Sequence, residues 1–482
     1  MPAGTTNFPG SLDSHTGASP LGFGEVNNQA NTLTTASHTN SVTTITVAST
    51  SKFPSKGYIL IKREIISYTG TTATTFTGCT RGVGGTTAAA FLSGTLVEQV
   101  VVAANHNDVA AGLVAVETAM GAYGNAVGLG DPIINGHFNV WQENTSFTSV
   151  ASGTWTADQW IYSKSGAVVH DVLRTADVPS VATNAPLGNY CLHLDVTTVD
   201  SSIAAGDYSA IATRIEGFNF LPFAQRAFVL SFWVKAAKTG THCVYLKNSG
   251  NDRTYVAEYT ISAADTWEWK SVAVSASPSA GTWAYTTGRG LEIGWTQACG
   301  STYQTTAGAW QSGDYKGTSS QVNETDSTSN NFKLYGVRMN LGTLALTGTP
   351  RPHGIELLLA KRYYEQSYND GTAPGSVTTA GEIIDSASNA IAGSTSGFIY
   401  RPRPPVFAAT KRATPTIVLY AISPATANAV QVASVNTRSG AAASSPSVSQ
   451  PWDQIGFDNT SAQAIASGDI IQLQWTAAAR IP

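Results

Sequence analysis

Along most of this chain, apolar and polar residues alternate over short stretches, and the alternation is interrupted by Gly, Asn, Asp and Pro. A period of two with frequent turn residues predicts β-strands buried on one face. The first 35 residues are the exception, because isolated apolar side chains (Phe8, Leu12, Leu21, Phe23) sit in a Gly-, Ser-, Thr- and Asn-rich context. They make no core alone, so this segment is a tail or a peptide that orders against a partner. Residues 36–104 then read as a small domain of short strands, with the clearest patterns at 44–47, 58–61 and 64–68.

A change of period follows. Val109, Leu113, Val116, Met120 and Tyr123 recur at spacings of four and three, a heptad seam opened by Asn105 as a cap and Asp108 in the first turn. The pattern predicts a helix over 105–130 that associates with copies of itself, ended by Gly124, Gly128 and Gly130. The other account of the same pattern is a helix lying on its own domain.

Strand patterns at 227–234, 242–246, 267–274 and 291–295 then predict one large jelly-roll β-sandwich over 131–350. Pro350 and Pro352 introduce a helical connector at 351–366. Residues 367–482 return to strands, with a Ser/Ala/Pro-rich stretch at 436–450 expected to be a mobile loop. The basic, proline-rich run at 401–405 is expected to brace a domain junction.

Composition narrows the function classes. Only 12% of residues are charged, while 42% are hydrophobic and 11 are Trp, so the chain has ample apolar area to bury and is not disordered. A formal net charge of -4 supplies no basic field for phosphate backbones, so no nucleic-acid partner is expected. Without a long apolar run or a basic-then-apolar leader, no membrane insertion or secretion is expected either. The widely spaced Cys79, Cys191, Cys243 and Cys299 read as buried thiols of a protein made in a cytoplasm.

Candidate chemistry is sparse. The run from Asn135 to Gln142, followed by Asp158 and Trp160, consists of aromatics and amides without a nucleophile, which points to a surface that binds. Aromatic faces stack on sugars while amides and carboxylates bond hydroxyls, and the candidates for glycan contact are Trp155, Trp160, Tyr303, Trp310 and Tyr315. Trp310 and Tyr315 rank first because Gly308 and Gly313 place them in turns. The acids of the sandwich are single and turn-bound, so no catalytic pair is assigned, although a facing pair in the manner of a depolymerase is the enzymatic alternative. His193 and Asp195 share a strand face, but without further ligands they read as solvated side chains; no metal and no cofactor are expected.

Several motifs carry a resemblance. The pattern Asn135-Gly136-His137-Phe138-Asn139-Val140-Trp141-Gln142 with Ala157-Asp158-Gln159-Trp160 resembles the segment that opens a β-sandwich in tail fibre proteins of bacteriophages and prophages. The segment at 7–13, the residues at 105–108 leading into the heptad helix, the runs at 64–70 and 79–82, the Trp310 motif, Arg362-Tyr363-Tyr364-Glu365 and the run at 411–416 are similar to fibre sequence in the same order. The resemblance implies a homotrimer in the virion tail, attached to tail or baseplate proteins by its N-terminus, whose distal β-domains bind host surface glycan or lipopolysaccharide. It implies no catalytic residues. A purely structural head or collar fibre is the alternative of the same class. The expected fold is mainly β: a multidomain fibre of a short β-module, a heptad helix, a jelly-roll-like sandwich and a C-terminal β-domain.

Overall fold

The computed structural model describes residues 30–100, 130–180, 185, 188–346, 350–386, 399–400, 407–423, 425–434, 437–448, 455–459 and 469–482. Residues 1–29 of the N-terminal segment, the heptad positions Val109, Leu113, Val116, Met120 and Tyr123, and the 401–405 run lie outside the described residues, whereas Asn31–Leu33 pairs with Leu96–Gln99, so the small β-domain begins before the expected residue 36. The chain divides into two compact units, Met1–Tyr123 and Gly124–Pro482. Among the described residues no helix is long and apolar enough to cross a membrane.

The first unit holds a five-stranded antiparallel sheet in the order Asn31–Leu33, Leu96–Gln99, Gly57–Ile61, Glu64–Tyr68, Thr80–Val83, and a smaller sheet of Ile45–Thr46, Thr75–Thr77 and Gly70–Thr71. Alternation decides the inner face: Ile59, Ile61, Ile66 and Tyr68 join Phe76 and Phe91 in the core. Lys62 takes a φ of 57°, which allows the two-residue turn between the central strands. Beside that turn, buried Glu64 pairs with Arg81 through two bonds (Nε to Oε1 2.7 Å, Nη2 to Oε2 2.8 Å). The backbone N–H groups of Gly82 and Ala89 also donate to the same carboxylate, so all its acceptor directions are used.

The second unit is built on a two-layer sandwich. One antiparallel sheet runs Thr154–Trp155, Trp160–Ser165, Tyr208–Glu216, Arg289–Cys299, Gly240–Lys247, Arg253–Ile261, Trp310–Ser312. The other runs Glu268–Val274, Phe228–Ala236, Asn331–Leu341, Cys191–Thr198, Val169–Thr175, Ser146–Phe147. Between them lies one core in which Trp160, Trp295, Phe232, Ile211 and Leu230 are fully enclosed. On Arg289–Cys299 the inward residues are Leu291, Ile293 and Trp295, which leaves Glu292, Gly294 and Thr296 on the outer face.

The helix His353–Lys361 leads into a C-terminal β-structure around the strand Ile470–Ala478, which pairs with Tyr364–Gln366 and Ile383–Ser386 as well as with Thr416–Tyr420 and Ala429–Ser434. Its core is Phe407, Leu419, Val430, Leu473 and Trp475. The Ser/Ala/Pro-rich stretch differs from expectation, because Thr437–Val448 is a strand paired with Ala429–Ser434 and Ile455–Asn459. Small residues have little strand preference of their own, and the two flanking strands supply the backbone partners that decide the conformation.

The Asn135–Trp160 motif is also corrected: it is a buried knot rather than a binding surface. The Asn135 side-chain amide donates to the Val140 and Asp158 carbonyls (2.7 and 3.1 Å) and accepts from the Val140 N–H (3.0 Å). Trp141 donates its indole N–H to the Phe138 carbonyl, and Trp160 donates to the Asn135 carbonyl. Left-handed Asn135 and Phe138 (φ 58° and 53°) bend the chain so tightly that these groups meet. Gln142 extends the knot to the C-terminal sheet by donating to the Tyr364 carbonyl (2.9 Å) and accepting, at its backbone carbonyl, from Gln366 (2.7 Å).

Candidate functional site

The five aromatic candidates separate by burial. Trp160 is fully enclosed, its ring 4.7 Å from Phe138 and 5.5 Å from Trp295 between centroids, so it is a core residue and presents nothing to a ligand. Trp310 is half-buried but committed: its indole N–H donates to the Ser275 carbonyl (3.0 Å) and its ring packs edge-on against Tyr255 and Trp283 to close the sandwich margin. Trp155, Tyr303 and Tyr315 are half-buried and lie toward the outer face of the seven-stranded sheet in two places, Trp155 beside Arg214 on the edge strand and Tyr303 and Tyr315 around Lys316 and Tyr245.

Strand register orders that face. One cross-strand row reads Trp155, Ile161, Ala212, Gly294, Tyr245, Val256. The neighbouring row reads Arg214, Glu292, Lys247, Thr254, Gln311. Gly294 has a steric reason, because a Cβ there would lie 2.3 Å from the Tyr245 ring, which therefore lies flat across the sheet. In that pose the Tyr245 hydroxyl donates to Glu292 Oε1 at 3.1 Å.

Glu292 is the centre of a charged cluster. Arg214 and Arg289 each donate to its Oε2 at 2.8 Å, and Lys247 Nζ stands 3.3 Å from Oε1. Burial alone would raise this carboxyl, but Lys247, Arg214 and Arg289 hold it down at about 2. It is thus a fixed carboxylate, the wrong state for a general acid. The segment after the strand adds Asp314, 3.4 Å from Lys247 and 3.3 Å from Lys316, and Lys316 Nζ sits 4.5, 5.3 and 4.8 Å from the ring centroids of Tyr208, Tyr245 and Tyr303.

At the Trp155 end the face opens into a groove of about 450 Å³ between the sandwich and the C-terminal sheet, with Trp155, Phe147, Tyr364 and Pro374 as apolar walls. The Arg480 guanidinium stands 5.2 Å from the Trp155 ring centroid and 4.5 Å from that of Tyr364, and pairs with Glu143. Arg214, 5.7 Å from the Trp155 ring centroid, connects the groove to Glu292. The arrangement offers an indole face with cationic and anionic partners at its rim, the elements of a saccharide site. Sequence reasoning missed Arg480, Glu143, Tyr364 and the Glu292 cluster, because the pairings join positions as much as 337 residues apart.

Other expectations resolve elsewhere. All four cysteines are free and buried, as read from their spacing. His193 is half-buried rather than solvated, and burial pushes its imidazole down to about 4, so it is neutral. Among the described residues no group of three or more His, Cys, Asp or Glu is placed to hold a metal ion.

No protein-family model matches the chain, and no curated protein matches it. Among solved structures it is similar to TmCBM61 in complex with β-1,4-galactotriose (8% identity, 44% of this chain and 99% of that one, TM-score 0.22). It is also similar to the C-terminal family 22 carbohydrate-binding module of Clostridium thermocellum Xyn10B (11% identity, 45% and 100%, TM-score 0.24). A third is a putative sugar binding protein from Bacteroides thetaiotaomicron (12% identity, 44% and 100%, TM-score 0.23). At these identities and scores the likeness assigns no ligand.

Proposed function

We propose that this chain is a non-enzymatic virion fibre protein of the bacteriophage or prophage tail fibre type, and that it binds host cell-surface glycan in the groove beside Trp155. The observation that carries the binding site is the half-buried Trp155 ring, which walls an open groove of about 450 Å³ beside the Arg480–Glu143 pair. An indole face removes the apolar face of a sugar ring from water, while the guanidinium and carboxylate orient its hydroxyls. The fibre reading is supported by the motif order along the chain and by the heptad spacing at 109–123, which suits a trimer attached to the tail through its N-terminus. Three weak sites on one rigid body raise avidity by roughly two orders of magnitude or more. Buried free thiols fit assembly in a host cytoplasm before release in the virion.

The test is retention of the full-length protein on bacteria that the parent phage infects, together with its block of phage adsorption. Retention and blocking that are both lost in Trp155→Ala, while Trp310→Ala remains folded and binds, are the expected results. An intact oligomer that never adheres to such cells makes the purely structural fibre the better account.

A further inference from the structure

The charged cluster beyond the groove has a composition that the fold alone does not require. Four cations (Arg214, Arg289, Lys247, Lys316) face two carboxylates (Glu292, Asp314), a local surplus of positive charge on a chain whose formal net charge is -4. Three of the four cations surround Glu292, Lys247 and Lys316 share Asp314, and two carboxylates have fewer acceptor positions than the four cations have N–H groups. The shortfall is visible at Arg289, whose side chain is only 10% exposed and whose Nε–H has no acceptor. Its remaining donors reach Ser249 and Asn251, so it is held in place. Buried cations without full pairing are costly, and an external anion relieves that cost.

The cluster is most accessible at Asp314. That side is covered by the Asp314 carboxylate, 33% exposed, which screens the buried Lys247 (8%) and Lys316 (4%), and half-buried Tyr208 and Tyr303 stand beside Lys316 with their rings edge-to-face at 5.0 Å. Lys316 lies against both rings, so an anion drawn to its ammonium meets aromatic surface at the same place. Burial and the neighbouring Lys247 already lower the Lys316 ammonium, and an incoming negative charge reverses that effect.

We infer that the outer face between Lys247, Lys316 and Tyr303 recognises the carboxylate of an acidic sugar, so that the glycan bound by this protein contains uronic-acid-type residues. The inference rests on the glycan-binding reading of the adjoining groove and goes beyond it by fixing the charge of the ligand. The sugar ring lies against Tyr303 and Tyr208, its carboxylate approaches the two lysines beside Asp314, and the chain continues toward Trp155 past Arg214.

The experiment measures retention of the full-length protein on host bacteria before and after their surface carboxylates are converted to neutral amides with carbodiimide and ethanolamine. Expected is loss of about tenfold or more in apparent affinity on the amidated cells, with a steep decline in salt on untreated ones. Asp314→Asn removes a competing carboxylate from a half-buried position and is expected to tighten binding to untreated cells severalfold without changing binding to amidated ones. Lys316→Met weakens binding to untreated cells only. Equal retention on both kinds of cell, insensitive to Asp314→Asn, overturns the acidic-sugar assignment and leaves the groove reading intact. Failure to adhere even to untreated cells overturns both.

Discussion

Gln142 and Asp158 hold each other at two points: the Gln142 side-chain amide donates to Asp158 Oδ1 at 2.6 Å, and the Gln142 backbone N–H donates to Oδ2 at 2.8 Å. Both residues are buried, and the same Gln142 amide also reaches the Tyr364 carbonyl in the C-terminal sheet. The pair therefore joins the opening turn of the sandwich to a strand more than two hundred residues later. Burial raises the Asp158 carboxyl to about 6 against the opposing bonds from Gln142.

Asp158→Ala strands two buried donors of Gln142 in one step. Each costs roughly 1–3 kcal/mol when left without an acceptor, so a loss of about 3 kcal/mol or more is expected in unfolding of the second unit. Gln142→Ala is expected to cost a similar amount, and the double variant less than the sum, since both remove one interaction. Denaturant melts of the four proteins measure the coupling; strict additivity would show that the knot is not a unit.

A second buried acid gives the protein a pH signature. Glu324 is 1% exposed, and burial pushes it up to about 8 against the opposing charge and backbone N–H of Lys238. His242 Nε2 lies 3.9 Å away and donates to the Lys238 carbonyl, while burial pushes this imidazole down to about 4. The native state thus keeps Glu324 protonated and His242 neutral. From about pH 4.5 to 8 the native state holds a proton on Glu324 that the unfolded chain releases, so this group lowers stability as pH rises through that window. His242 acts oppositely, because the unfolded chain takes up a proton below about 6.5 that the native state refuses down to about 4. Between about 4.5 and 6.5 the two slopes offset each other. Glu324→Gln removes the decline above about 6.5 and uncovers the opposite His242 slope between about 4.5 and 6.5. Thermal melts at pH 5 and pH 9 should show the variant gaining on the parent by a few kcal/mol at the alkaline end, each pKa unit being worth about 1.4 kcal/mol. A difference that stays constant with pH would place the Glu324 proton elsewhere.

These features were unequally legible in the sequence. Alternation at 227–234 and 291–295 marks strands that the structure extends to Phe228–Ala236 and Arg289–Cys299, because the inward residues, Leu230, Phe232, Ile293 and Trp295, are large and apolar and the outward ones mostly polar or small. The Asn135–Trp160 motif was visible, but aromatics with amides describe a binding face and a buried knot equally well. Burial of this motif depends on Glu356 and Tyr364, which pattern alone does not bring near. Trp155 was identified without its neighbours, because Glu143 and Arg480 converge on it from widely separated strands and turns. Thr437–Val448 was hidden for the opposite reason, since its small side chains carry no periodic signal and pairing alone extends it.

The first unit offers the clearest test of a buried ion pair. Glu64 and Arg81 are 1% and 7% exposed, and Arg81 further donates to the Thr39 and Ala89 carbonyls at 2.7 and 2.6 Å while lying 4.7 Å from the Phe91 ring centroid. Burial works against ionisation of Glu64, but the bonds from Arg81, Ala89 and Gly82 prevail and its carboxyl is lowered. A lowered carboxyl contributes stability that is present above its unfolded pKa of about 4.5 and is lost as pH falls below it. Arg81→Met leaves the carboxylate enclosed with only two backbone donors and is expected to destabilise the unit by about 3–5 kcal/mol at neutral pH. In that variant the carboxyl rises and the acid sensitivity changes sign: lowering the pH toward 5 protonates Glu64 and recovers part of the loss. Glu64→Gln in the same background should recover part of it at neutral pH as well. Proteolysis or hydrogen exchange across 57–83 at pH 5 and pH 7.5 reads both effects, and an Arg81→Met protein whose protection only declines on acidification would show that the pair is not what holds this sheet.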